Sequence, residues 1–212
     1  MSLTIAFCNS HGIVMAADRF ITTTVDGASF CGTTTEQKLF LSPEGFGFTY
    51  AGTSTFRNHP ASYWMDRFIE RFSHLNLNVH DYVQNLCTAF HFLDKSQNII
   101  IIGAGCTNGT NHVYSSNSIS RIIVNHLYES ETCISVSGEN DLALRIIDTY
   151  PINRNVFTTV DMVDFVRHVI LTASNIQKFA QRPITISPEC DVLLITSKMS
   201  KWVIPSPNLW LQ

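Results

Sequence analysis

Apolar and polar positions change rhythm several times along the chain, and each change marks an element. Leu3 to Cys8 alternates loosely, Asn9-Ser10-His11-Gly12 is a turn cluster, and Ile13 to Ala17 is apolar throughout. That pattern predicts a hairpin whose second strand is buried on both faces. Thr22 to Thr35, rich in Thr, Ser and Gly, reads as a loop or a further strand pair. Lys38 to Leu41 and Phe46 to Ala51 read as strands joined by the turn Ser42-Pro43-Glu44-Gly45.

The period then lengthens. Tyr63, Trp64, Phe68 and Phe72 recur at helical spacing between Pro60 and Phe72, with Asp66, Arg67, Glu70 and Arg71 among them. Asn78 is placed to cap a second helix whose apolar stripe is Val79, Tyr82, Val83, Leu86, Phe90 and Leu93. Asn98 to Gly103 is a β-branched run and predicts a buried strand, and Val113-Tyr114, Ile119 to Leu127 and Thr132 to Val136 predict further strands. A third helix is expected from near Gly138, using Leu142, Ile146 and Ile147. A fourth is expected over Met162 to Phe179, with Val163, Val166, Ile170 and Ile176 inward, followed by a late strand at Asp191 to Thr196. Strands alternating with helix pairs predict an α+β fold in which helix layers cover two stacked sheets, rather than a βαβ winding.

Length and composition narrow the class. The 212 residues, with no linker or internal repeat, fit one domain spanning 1–212. The longest apolar run, Ile99 to Ala104, is far short of the ~18 residues a bilayer span requires. Net charge is -3, from 14 basic and 17 acidic residues, with no basic stripe, so neither nucleic acid nor a membrane is an expected partner. Six scattered cysteines without a CxxC pair fit reduced thiols in a cytoplasmic protein, and the N-terminus lacks the pattern of a secretory signal.

Several chemistries fail on spacing. The elbow G-x-S-x-G of a conventional Ser/His/Asp hydrolase is absent, the region around Ser135 reading Cys133-Ile134-Ser135-Val136-Ser137-Gly138. No HExxH, i,i+4 histidine pair or zinc-spaced cysteine pair occurs, so no metal site is expected. Gly103-Ala104-Gly105-Cys106-Thr107-Asn108-Gly109 has Asn108 where a dinucleotide loop needs its third Gly, and a β-turn followed by a strand fits better. No cofactor is called for.

The N-terminus offers another chemistry. Removal of Met1 would leave Ser2 with a hydroxyl and an α-amine of pKa about 7.7–8, nucleophile and base on one residue. Asp18 ends one apolar strand and Lys38 begins another, so an ion pair between them would set a cation near that amine. Gly52, at the end of Tyr50-Ala51-Gly52, leaves room for a backbone N–H to approach an oxyanion. Thr4 is a second candidate first residue.

Gly12-Ile13-Val14-Met15-Ala16-Ala17-Asp18 resembles the G-V-V-x-A-A-D strand of proteasome β-type subunits and HslV-type peptidases, which are N-terminal-nucleophile hydrolases. An ungapped count back puts Ser2 on the family's N-terminal Thr and Asp18 on its catalytic Asp; starting at Thr4 would break that count. Lys38 resembles its catalytic Lys, and the step from Lys38 to Gly52 matches its Lys-to-Gly spacing. The resemblance covers nearly the whole chain and implies a four-layer αββα sandwich. It further implies that Ile21 and Thr22 pair with an extended substrate and that Tyr50 lines the specificity pocket.

Three positions depart from the family. Ser2 replaces Thr, Gly138 stands where the family has a supporting Ser (Ser137 being the approximate match), and Asn175 falls on the family's acidic residue. The implied activity is hydrolysis of peptides or unfolded polypeptides within a homo-oligomeric ring, with an ATP-dependent unfoldase as candidate partner. An inactive ring-forming subunit and a small-amide hydrolase of the same fold are the alternatives. The aromatic helix over Tyr63 to Phe72 and the tail from Trp202 to Leu211 are candidate contact surfaces.

Overall fold

The computed structural model describes residues 2–25, 28–33, 36–127, 130–149, 153–180 and 184–203, with the side chains of 22–25 and 28–33 outside the description. β1 (Leu3–Asn9) and β2 (Gly12–Asp18) form the expected hairpin, with Thr4 opposite Ala17. β3 (Ile21–Val25) and β4 (Ala28–Thr33) make a separate two-stranded ribbon, resolving the loop-or-pair alternative. β5 (Leu39–Leu41) and β6 (Gly47–Gly52) follow, and the short strands β7 (Thr55–Phe56) and β8 (His59–Pro60) lead into α1 (Ala61–Phe72). α2 (Val79–Leu93) starts where expected, with the Asn78 side chain accepting from Asp81 N at 2.9 Å.

β9 (Ile99–Thr107) and β10 (Thr110–Asn117) are joined at Asn108-Gly109, both with positive φ, as a two-residue hairpin turn requires. The glycine-rich run is thus strand and turn. β11 (Val124–Asn125), β12 (Cys133–Gly138), α3 (Asn140–Thr149), α4 (Thr159–Phe179), β13 (Cys190–Ile195) and β14 (Ser200–Trp202) complete the order.

Two five-stranded sheets result, ordered β12-β1-β2-β13-β14 and β11-β10-β9-β6-β5. Pairing in both is antiparallel, a mixed helix-and-sheet architecture compatible with the α+β class. Alternation along β1 shows how the core divides. Leu3, Ile5 and Phe7 pack with Ala143, Ile146, Met162, Val166 and Ile170 of α3 and α4, whereas Ala6 and Cys8 meet Leu39, Ile102 and Ala104 of the other sheet. A further cluster packs Phe48, Tyr50 and Ile101 against α1 and α2 through Met65, Tyr82, Leu86 and Phe90.

Three expectations are corrected. Most of Ile119 to Leu127 is not a strand. The Asn117 side chain accepts from the Ile119 and Ser120 amides, and this local turn outcompetes ladder pairing. The fourth helix begins earlier than Met162, because Thr158 and Asp161 form a reciprocal capping box. Ile176, expected inward, is 40% exposed, and Gln177 is buried instead. In α1, Trp64, Phe68 and Phe72 pack against the core while Tyr63 is exposed. Of the tail, Trp202 lies in β14, and 204–212 fall outside the described residues. Among the described residues no helix is long and apolar enough to cross a membrane.

Candidate functional site

Asp18 is the centre of the arrangement. It closes β2 and is fully buried, so each carboxylate oxygen must find donors inside the protein. Oδ1 accepts from Leu3 N at 2.8 Å and from Lys38 Nζ at 3.0 Å. Oδ2 accepts from Phe20 N at 3.0 Å and from Ser187 N at 3.2 Å. Lys38, directly before β5 and only 2% exposed, also donates from Nζ to the Phe20 carbonyl. The ion pair expected between the two strand ends is present and excluded from water.

Ser2 is held from both sides of β1. Its successor's amide reaches Asp18, and its own carbonyl accepts from Glu139 N at 2.9 Å. Gly138, opposite Leu3, has φ +98°, and a Cβ there would lie 1.7 Å from the Ser2 carbonyl oxygen. Only glycine fits, which accounts for the absence of a serine at this position. Ser137 is buried opposite Thr4, and both hydroxyls lack a hydrogen-bond partner among the described residues. Thr4 itself lies within β1, fully buried.

The other expected residues lie on other elements. Gly52 ends β6 opposite Ile99, with φ +110°, and a Cβ there would lie 2.6 Å from the Asn98 carbonyl oxygen. Ile21 is half-buried and opens β3 opposite Thr33; Thr22 pairs with Cys31, and its side chain lies outside the description. Tyr50 is buried, stacks on Phe40 at 6.2 Å and donates to Glu36 Oε1 at 3.1 Å. Burial, and then the Glu36 carboxylate, pushes its phenol well above the ordinary range. Beside this region a cleft of about 480 Å³ is lined by Arg19, Glu36, Gln37, Asp191 and Trp202, chain neighbours of Asp18 and Lys38 among them. Arg19 is engaged there by Asp191. Asn175 is exposed on α4, and the buried amide nearby is Gln177.

Gln177 belongs to a group the sequence reading missed. Its Oε1 accepts from Thr185 N at 2.9 Å and Ile186 N at 3.1 Å, and its Nε2 donates to Thr185 Oγ1 at 2.8 Å. Thr185 Oγ1 in turn donates to Glu139 Oε1 at 3.3 Å. The segment Thr185-Ile186-Ser187 therefore ties Glu139 at one end to Asp18 at the other, and all three of its residues are buried. The one available signal was Gln177, a polar residue at a position the apolar stripe could have used.

Among the described residues no group of three or more His, Cys, Asp or Glu is placed to hold a metal ion. Chemically, the arrangement offers a shielded cation one residue from a serine whose backbone is fixed on both strand edges. No known family model matches this chain, and no curated protein sequence does either.

Proposed function

We propose that the chain is a peptidase of the N-terminal-nucleophile kind, similar to proteasome β-type subunits, its helices and sheets forming a four-layer αββα sandwich. The observation that carries the reading is the shared oxygen. Asp18 Oδ1 accepts from both the Lys38 ammonium and the Leu3 amide, which brings the cation to the residue next to Ser2. Once processing leaves Ser2 first, its Oγ attacks the scissile carbonyl and its α-amine takes the hydroxyl proton. Lys38 lowers the proton affinity of that amine, Asp18 keeps Lys38 charged, and the Gly52 amide is the candidate oxyanion donor. The protonated amine then gives its proton to the leaving amine, an ester forms on Ser2, and water cleaves it. Peptides or unfolded polypeptides as substrates, a homo-oligomeric ring and an ATP-dependent unfoldase belong to the same reading.

Intact mass with an epoxyketone or β-lactone tests it. In protein whose first residue is verified as Ser2, a single adduct mapped to Ser2 is expected. Ser2→Ala should cost at least about 10³-fold in peptide turnover. A second reading, a ring-forming subunit without turnover, is favoured by one observation: Gly138 packs on the Ser2 carbonyl and puts no hydroxyl beside it. Absence of any adduct, together with no peptide turnover by the parent protein, would give that reading the field.

A further inference from the structure

A terminal serine that acts as its own base needs its ammonium form controlled from more than one side. Asp18 cannot serve the amine directly, because its two oxygens already accept four hydrogen bonds, from Leu3 N, Lys38 Nζ, Phe20 N and Ser187 N. Asp191 is engaged by Arg19, Glu189 lies on the same guanidinium at 3.9 Å, and Glu36 accepts from Tyr50. Lys38 adds a second cation rather than a counter-charge. Among the described residues, Glu139 is the acidic residue whose backbone is hydrogen-bonded to Ser2.

Its placement is specific. Glu139 N donates to the Ser2 carbonyl at 2.9 Å, so the backbone of Glu139 lies directly against Ser2. Oε1 is held by Thr185, itself clamped by Gln177 at the last turn of α4, and Oε2 accepts no hydrogen bond among the described residues. We propose that Glu139 is a positioning residue of the Ser2 site, its carboxylate being the counter-charge to the Ser2 α-ammonium and doing the work for which Asn175 lacks the charge. The inference builds on the peptidase reading, because only a processed Ser2 has an amine to govern.

Competitive labelling with acetic anhydride reads the titration of that amine without any turnover. In protein beginning at Ser2, labelling of the N-terminal peptide is followed against pH by mass spectrometry. Glu139→Gln keeps the shape and removes the charge, so the midpoint should fall by roughly half a pH unit, and the acid limb of kcat/KM should fall with it. Glu139→Asp, which keeps the charge one methylene further back, should show a measurable fall no larger than half that of Glu139→Gln. An unchanged midpoint in folded Glu139→Gln overturns the assignment. Should that variant fail to fold, Glu139→Asp decides alone: a smaller fall supports it, and no change or a rise overturns it. A lowered midpoint combined with turnover indifferent to Ser2→Ala would sink the peptidase while leaving the Glu139–amine pairing in place.

Discussion

Lys38 is a charged side chain placed where water is excluded, and its neighbours show what that demands. Removing it would leave the fully buried Asp18 carboxylate with three backbone amides and no opposite charge. Breaking a buried pair from one side costs about 3–5 kcal/mol, and the remaining amides argue for the lower end. Lys38→Ala should therefore lose roughly 3 kcal/mol in urea unfolding as well as turnover, and so is a less clean probe of mechanism than Ser2→Ala. A variant as stable as the parent would mean the pair contributes little.

Between elements, α2 fits closely on β9. A Cβ at Gly103 would come within 2.3 Å of Val83 Cγ2 and 3.0 Å of Phe48 Cε1, so α2 lies close to the sheet only because this position has no side chain. Gly103→Ala should push the helix outward and cost about 1–3 kcal/mol, the usual range for overpacking, with the loss visible as a lowered midpoint in chemical denaturation. The same element contains Tyr82, whose hydroxyl donates to the Ile69 carbonyl and ties α2 to α1. A displaced α2 should thus weaken α1 as well, which hydrogen exchange of the α1 amides would report.

For the whole molecule, buried titrating groups bound the pH range of stability. Burial pushes the Cys87 and Cys190 thiols up to about 12 and raises the Tyr50 and Tyr82 phenols. The unfolded chain releases those protons first, beginning near the ordinary thiol value of 9.0, so stability should fall as pH rises from about 9 toward 12. His112 and His126 are lowered by burial from 6.5. Below 6.5 the unfolded chain binds protons that the folded chain refuses, and stability should decline as pH falls through that window. A plateau in Tm between roughly pH 6.5 and 9 is expected from thermal unfolding. A Tm still climbing across pH 9 would contradict it.

Local signals carried the strands and helices a long way. The apolar run Ile13 to Ala17, the cap at Asn78 and the periodic stripe of α2 each depend on side chains close in sequence, so the chain itself determined them. It also determined that Asp18 and Lys38 stand at strand ends, because the apolar runs stop there. The tertiary structure alone decided the rest. Asn175 and Gln177 are two residues apart on one helix, and which of them faces inward depends on how α4 is rotated against the sheet it covers. Glu139 meets Ser2, and Ser187 meets Asp18, across separations of more than a hundred residues. Such meetings follow from strand order and helix packing, which no short window of sequence encodes.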